Sequence, residues 1–537
     1  MDQMPTLVIG LDGVDFRYLN QFDLPNIEEV RNDGVAAPLQ STHPTWTGSA
    51  WPSMYTGVDP SYHGVYDFFD YSNTYPDEAD VITRSNVRAP AIWNYLTELG
   101  RRSIVLNVPI THPPDEINGI LIPGYLAPAD SDGYPSNIRE ELSNELGESY
   151  DIYSEFEASD DSEKKIDGYE SLIRKRGTAA AHLLRTREWD FGFIQVQKTD
   201  AVFHNSVSVT DFRRIYEAAD EFVGKVIDAC DEKPNVILCS DHGIGPVTGK
   251  QVYVNELLRR EGYVEPSSSP TVNDLNSIKT NESGTPETDG STGAAEPLAR
   301  VMQSMGITPG RVYQLAQRFG LGDQLKRVVP DSVQDAAQQG VDWRSSRAYC
   351  RRPSEQGIRI NLEGRDPQGV VPQSQYETIR NDIIDVLSGL TTTDDEPVFE
   401  FVCRREELYE GPYAEDACDI LFRTKEMNHQ VSETLLGETM LSADTFDHKP
   451  TGVFIASGPD LKTDWKSDGL ALTDVAPLVF SLLREPIPNR MTGTVPNQLT
   501  KTQITHDSYP DVAVGSDDSY EQDQDEVTER LSDLGYL

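Results

Sequence analysis

The sequence predicts a doubly wound α/β fold, a mostly parallel sheet with helices on both faces, and three features carry that prediction. Short β-branched and apolar runs alternate with helical stretches. The runs are apolar on both faces, as strands lying between two helix layers must be. Asp or His residues follow directly on several of them. In chain order the runs are Thr6 to Leu11, Ser103 to Asn107, Asp190 to Val196, Asn235 to Cys239 and Val453 to Ala456, each too short for a helix and each read as a buried parallel strand. Before the fourth run, Ile215, Ala219, Phe222, Val223, Val226 and Ile227 recur at three- and four-residue spacing, the apolar stripe of a crossover helix. From about Pro266 to Glu296 small, polar and acidic residues prevail, with few large side chains to bury, which predicts a flexible linker. Pro297 to Gln339 regains helical spacing through Val301, Met305, Val312, Leu315 and Phe319, a small helical insertion. The resulting division is 1–257 for the first part of the main domain, 258–345 for linker and insertion, 346–504 for the remainder, and 505–537 for an acidic tail. The tail's short amphipathic end, Val527 to Leu537, is expected to dock through Leu531, Leu534 and Leu537.

Composition narrows the function classes. With 46 basic and 89 acidic side chains in 537 residues the net charge is −43, which disfavours any general nucleic-acid-binding surface. The acidic excess is spread along the chain, as on the hydrated surfaces of halophilic proteins. Five cysteines lie at 230, 239, 350, 403 and 418 with no paired ligand spacing, an odd and scattered set that fits a reducing compartment. The N-terminal Met1-Asp2-Gln3-Met4-Pro5 lacks a basic signal region, and no apolar run approaches the ~18 residues of a membrane span. A soluble cytoplasmic protein without a membrane partner is expected. Its oligomeric state is not legible.

The chemistry is concentrated at strand ends. Asp12 follows Leu7-Val8-Ile9-Gly10-Leu11, Asp200 lies shortly after Phe193-Ile194-Gln195-Val196, and Asp241-His242 follow Val236 to Ser240. The carboxyl ends of parallel strands share one edge, where ligands bind, so these aspartates should converge. Close carboxylates repel and need a compensating charge, for which a divalent metal cluster is the economical choice. Asp200 and His204 are one helical turn apart and can grip one ion, and His448 can close the site. Pro44 to Trp51 supplies a nucleophile: Thr47 precedes an apparent helix through Met54, in the position of an N-cap, where a metal-coordinated hydroxyl would become an alkoxide near neutral pH.

Taken together and in order, Gly10-Leu11-Asp12-Gly13, Pro44 to Trp51, Thr56 to Phe68, Asn107-Val108-Pro109, Thr199-Asp200 with His204, Ser240-Asp241-His242-Gly243, Asn361-Leu362-Glu363-Gly364-Arg365 and His448 before Ser457-Gly458-Pro459 form a recognisable set. Over roughly residues 5 to 490 it resembles the type I phosphodiesterase and nucleotide pyrophosphatase family of the alkaline phosphatase superfamily. The resemblance implies an alkaline-phosphatase-like catalytic domain with two divalent metal ions per chain. It assigns Asp12, Thr47, Asp241 and His242 to the metal that activates the nucleophile, and Asp200, His204 and His448 to the metal that stabilises the leaving oxygen. The implied reaction is attack by Thr47 on a small-molecule phosphoric ester or pyrophosphate, a phosphothreonine intermediate, then hydrolysis. Zinc is expected, with manganese or iron compatible.

A sulfatase is excluded because no Cys or Ser stands in a C/S-x-P-x-R frame at Thr47. The phosphotransferase domain of cofactor-independent phosphoglycerate mutases is missing between Thr47 and Asp200. A phosphomonoesterase, a phosphotransferase and a non-catalytic metal-binding scaffold remain as alternatives. Of the other residues, His63 is expected to brace the loop near the site, His182 to be structural, His43 to sit in an exposed turn and Lys198 to be solvated.

Overall fold

The computed structural model describes residues 4–71, 75–159, 161–267, 340–466, 469–496, 498–512 and 527–528. In chain order the strands of its central sheet and of two smaller sheets are β1 (Thr6–Leu11), β2 (Val35–Gln40), β3 (Ser103–Leu106), β4 (Gly119–Ile122), β5 (Phe191–Val196), β6 (Asn235–Cys239), β7 (Gly243–Val247), β8 (Ala348–Tyr349), β9 (Gly357–Ile360), β10 (Phe399–Arg404), β11 (Ile420–Thr424), β12 (Thr445–Lys449) and β13 (Thr451–Ser457). The central sheet has seven strands in the order β2-β13-β6-β1-β5-β3-β4. Five of them, β6, β1, β5, β3 and β4, run parallel to one another, and each of the first four runs predicted from the sequence is one of these.

The fifth is a correction. β13 is antiparallel to both β2 and β6. Its residues are buried on both faces like those of the parallel strands, and two-sided burial reports the covering layers, not strand direction. The reversal follows from the preceding segment: β12 pairs antiparallel with β7, and the chain turns at Pro450 directly into β13. The amino end of β13 therefore lies at the edge where β1, β5 and β6 present their carboxyl ends. β2 and β4 escape the sequence reading, β2 because it is a half-exposed edge strand carrying Pro38 and β4 because only four residues form it.

Helices cover both faces. Neighbours in a strand point to opposite sides of the sheet. A Cβ on Gly10 would strike Trp51 of α1 (Thr47–Thr56), whereas one on Gly192, in register with Leu7, would meet Leu7 and face Leu184 of α2 (Ser162–Thr186). α2 packs on α4 (Val209–Ile227), which follows α3 (Lys198–Asn205), and the predicted stripe Ile215 to Val226 is the buried face of α4. A second core gathers around the four-stranded sheet β8-β9-β11-β10 and helix α5 (Tyr376–Ser388). Within it Asp419 is fully buried, accepting from Ile360 N (2.7 Å), Tyr376 Oη (2.8 Å) and Arg365 Nη1 (2.6 Å).

Residues 268–339 of the expected linker and insertion lie outside the described residues, as do Leu531, Leu534 and Leu537; Val527 is buried in the main core. All five cysteines are free thiols. Among the described residues no helix is long and apolar enough to cross a membrane.

Candidate metal centre

The strand-end residues meet at one edge of the sheet. Asp12 leaves β1 under local constraint: its N–H donates to Val196 O (3.0 Å), and Thr199 Oγ1 donates to Asp12 O (2.6 Å). Ser240, after β6, accepts from Val14 N (2.7 Å) and donates to His242 O (2.5 Å), tying the two loops together. Asp200 and His204 sit on one face of α3, with His204 Nε2 3.2 Å from Asp200 Oδ2. His448 belongs to β12, not to a loop, and the turn into the reversed β13 delivers it to the same edge.

Asp12, Asp200, Asp241, His242, His448 and Thr47 are all fully buried. Two groups of potential ligand atoms form, Asp12 with Asp241 and His242, and Asp200 with His242 and His448, the atoms in each lying within 4.8 Å of one another. His242 joins the groups. Its Nδ1 lies 2.9 Å from Gly243 O, and its Nε2 is 3.2 Å from Asp241 Oδ2, 3.7 Å from Asp12 Oδ1 and 3.3 Å from Thr47 Oγ1. The His242 and His448 rings stack at 3.8 Å, and His204 enters through its pairing with Asp200. Thr47 is the first residue of α1, not its cap. The Ser49 and Ala50 amides close on Trp46 O, and the Thr47 hydroxyl turns toward His242.

The electrostatics are those of clustered carboxylates and imidazoles suited to a compensating cation. Burial, then Asp241 and Asp200, push the Asp12 carboxyl well up, and burial with Asp200 nearby raises Asp241 despite His242. Burial also opposes ionisation of Asp200, but His204, His448 and His242 outweigh it and hold that carboxyl far below the usual range. Burial and the adjacent His242 drive His448 strongly toward its neutral, ligating form. Asp12 Oδ1 and Asp241 Oδ2 are shielded from solvent and accept no hydrogen bond among the described residues. Buried carboxylate oxygens left so are costly, and a set of Asp and His donors around them fits divalent cations.

Two residues of the centre were not legible in the sequence. Gln195 Nε2 (2.9 Å) and Trp51 Nε1 (3.2 Å) both donate to Asp12 Oδ2, which turns the other oxygen toward the cluster. A strand-interior Gln and a helical Trp offer no signal by spacing. A cleft of about 480 Å³ opens beside the centre, lined by Trp46, His204, Asp447 and His448 and also by Arg352 and Phe422. The Asn361 to Arg365 motif is elsewhere: Asn361 Nδ2 donates to Ser346 O (3.0 Å), and Arg365 serves the buried Asp419. Lys198 is not solvated but buried against Glu157 and over the Tyr169 ring at 4.7 Å. Nor is His43 exposed: burial and Arg423 push its imidazole down to about 3, and it packs edge-on against Phe401. His63 is buried 2.9 Å from Ser53 Oγ, bracing α1 from within, and His182 lies 3.4 Å from Glu145.

Residues 6–435 match the family described as type I phosphodiesterase / nucleotide pyrophosphatase. Among solved structures, phosphonoacetate hydrolase from Sinorhizobium meliloti 1021 aligns with 14% identity and a TM-score of 0.53, over 90% of this chain and 96% of that one. Murine ectonucleotide pyrophosphatase / phosphodiesterase 5 aligns with 13% identity and a TM-score of 0.50, over 92% of this chain and 100% of that one. At these identities the likeness is one of fold. No curated protein matches the sequence.

Proposed function

Because the chain belongs to the type I phosphodiesterase/nucleotide pyrophosphatase family and is a phosphoester hydrolase of the alkaline phosphatase superfamily, we propose that Thr47 is its nucleophile. In this reading Asp12, Thr47, Asp241 and His242 hold one divalent cation and Asp200, His204 and His448 a second. The observation that carries it is the placement of a fully buried Thr47 hydroxyl 3.3 Å from His242 Nε2, where the two ligand groups join. Bound there, the cations would neutralise the clustered carboxylates, withdraw charge from a phosphoryl oxygen and ease ionisation of the threonine hydroxyl. Zinc suits the mixed Asp and His donors, as do manganese and iron.

The residues of the chain then have distinct tasks. Thr47 Oγ1 gives up its proton and attacks phosphorus, the ester oxygen departs on the opposite side, and a phosphothreonine forms. Water cleaves that bond in the second step, releasing the phosphoryl product and restoring the hydroxyl. Gln195 and Trp51 keep Asp12 oriented throughout, and the rigid first turn of α1 holds Oγ1 in line. Diesters or pyrophosphates are the substrate class the family description favours, and five free thiols support a reducing, cytoplasmic setting.

Thr47→Ala tests the reading against a metal-binding scaffold. Turnover of bis(p-nitrophenyl) phosphate should fall by orders of magnitude while fold and metal content stay intact. Equal inertness of wild type and variant across a panel of phosphate esters defeats the enzyme reading. A higher kcat/KM for p-nitrophenyl phosphate than for the diester overturns the substrate class alone.

A further inference from the structure

The cleft beside the metal centre holds a cation that the hydrolytic step does not use. Arg352 lines it together with His204 and His448. Its guanidinium lies over the Phe69 ring, with Cζ 4.3 Å from the centroid, and its Nε is shielded from water with no hydrogen-bond partner among the described residues. The adjacent Arg351 is matched by Glu355, and Arg423, a second cation of the cleft, pairs with Glu400 at 2.9 Å. Arg352 has no ion pair of that kind among the described residues. Tyr71 is hydrogen-bonded to Arg352, and Tyr71, Asp67 and Glu433 favour its charge; Asp67 also accepts from Tyr71 Oη at 2.6 Å, while Asp447, another residue lining the cleft, accepts from His448 N at 2.8 Å.

Arg352 is only partly buried and keeps its charge, and stacking on an aromatic ring fixes its plane for a two-pronged bond. The net charge of −43 sharpens the point, since an anionic ligand is repelled by the protein as a whole and needs a local cation to hold it. We propose that Arg352 determines specificity by binding a second anionic group, a carboxylate or phosphate carried on the organic arm of the phosphoric ester whose phosphorus faces Thr47. This rests on the hydrolase reading above and narrows it to substrates bearing two oxyanions. Arg352 touches the arm and takes no part in bond cleavage, so its signature is discrimination between arms.

Three p-nitrophenyl phosphodiesters test this, with an ethyl, a carboxyethyl or a phosphonoethyl second arm. Wild type should favour one charged arm over ethyl by about 10–100-fold in kcat/KM, the range of a charge-assisted bond, and the favoured arm identifies the anion. In Arg352→Gln that ratio should collapse toward one, and Arg352→Lys, which keeps the charge but loses the fork, should retain part of it. A ratio near one in wild type overturns the proposal, as does one unchanged in a folded Arg352→Gln or Arg352→Lys. Thermal shifts with ethylphosphonate, 3-phosphonopropionate and ethane-1,2-bisphosphonate give a readout independent of turnover. If no ester is hydrolysed but a charged phosphonate still stabilises wild type more than ethylphosphonate does, and Arg352→Gln abolishes the difference, the hydrolase reading falls and the anion site stands. If neither charged phosphonate is preferred, the anion site falls.

Discussion

Gly13→Ala is the smallest change expected to disable the centre. Gly13 follows Asp12 with φ +59°, a conformation that costs a residue with a Cβ about 1–2 kcal/mol. The larger effect is steric. The new Cβ would lie 2.5 Å from Asp200 Oδ1, 2.8 Å from its Cβ and 3.0 Å from its Cγ, where ordinary contact begins at 3.4 Å. Relief through Oδ1 requires about 0.9 Å of movement, and Asp200 has little room to give it, being fully buried on α3 with Oδ2 3.2 Å from His204 Nε2. A displacement near 1 Å in a reacting constellation costs on the order of 10²-fold. The variant, reconstituted with metal, should therefore show kcat/KM on bis(p-nitrophenyl) phosphate down by about 10²-fold, a lower metal content by elemental analysis, and a stability loss of about 2–5 kcal/mol in urea, the backbone and overpacking costs together. Wild-type metal content together with kcat/KM within about threefold of wild type would refute the claim that Gly13 makes room for Asp200 at the metal centre.

Chelation with EDTA should abolish turnover and lower stability by about 3–4 kcal/mol for each ion held at 100 to 1,000 times its dissociation constant, with both effects reversed by added zinc or manganese; unchanged activity in metal-free protein contradicts a metal-dependent step. Gln195→Ala and Trp51→Phe should each weaken metal affinity by about 10–100-fold in competition titrations, since each frees Asp12 Oδ2 to rotate, and wild-type affinity in both would remove them from the site. Asp419→Ala should cost about 3–5 kcal/mol near pH 7 by stranding Arg365 and Arg405. Although burial disfavours its charge, Arg365, Arg359 and Arg405 hold the Asp419 carboxyl far below the usual range. Its contribution is thus complete above the unfolded value of about 3.9 and lost as pH falls toward the folded one, so the gap between wild type and variant should shrink between about pH 4 and pH 2. Urea titrations showing a gap that widens on acidification would contradict this.

Much of the centre was readable because its signals are local. Asp12, Asp241 and His242 stand immediately after runs that can only be buried strands, and Asp200 with His204 obeys the period of one helical turn. His448 shows where local reading ends. Preceding a strand taken as parallel, it would have sat at the edge opposite the aspartates; β13 runs the other way, and this alone brings the imidazole to within 3.8 Å of Asp200 Oδ1. The contacts of Gln195 and Trp51 with Asp12 span 183 and 39 residues. Arg352, which lines the cleft, stacks on Phe69 from a segment still farther away in the chain.

By itself the sequence determined the alternating architecture and the donor types collected at strand ends, because burial and helical period are written residue by residue. Only the tertiary structure decided that β13 is reversed, that His242 joins the two ligand groups, that Asn361 to Arg365 serves a second core, and that an arginine lines the cleft beside the candidate metal centre. Strand direction depends on which hydrogen-bonding edge a segment finds, and the partner of a buried side chain on which distant surfaces pack together; neither is encoded within any one stretch of the chain.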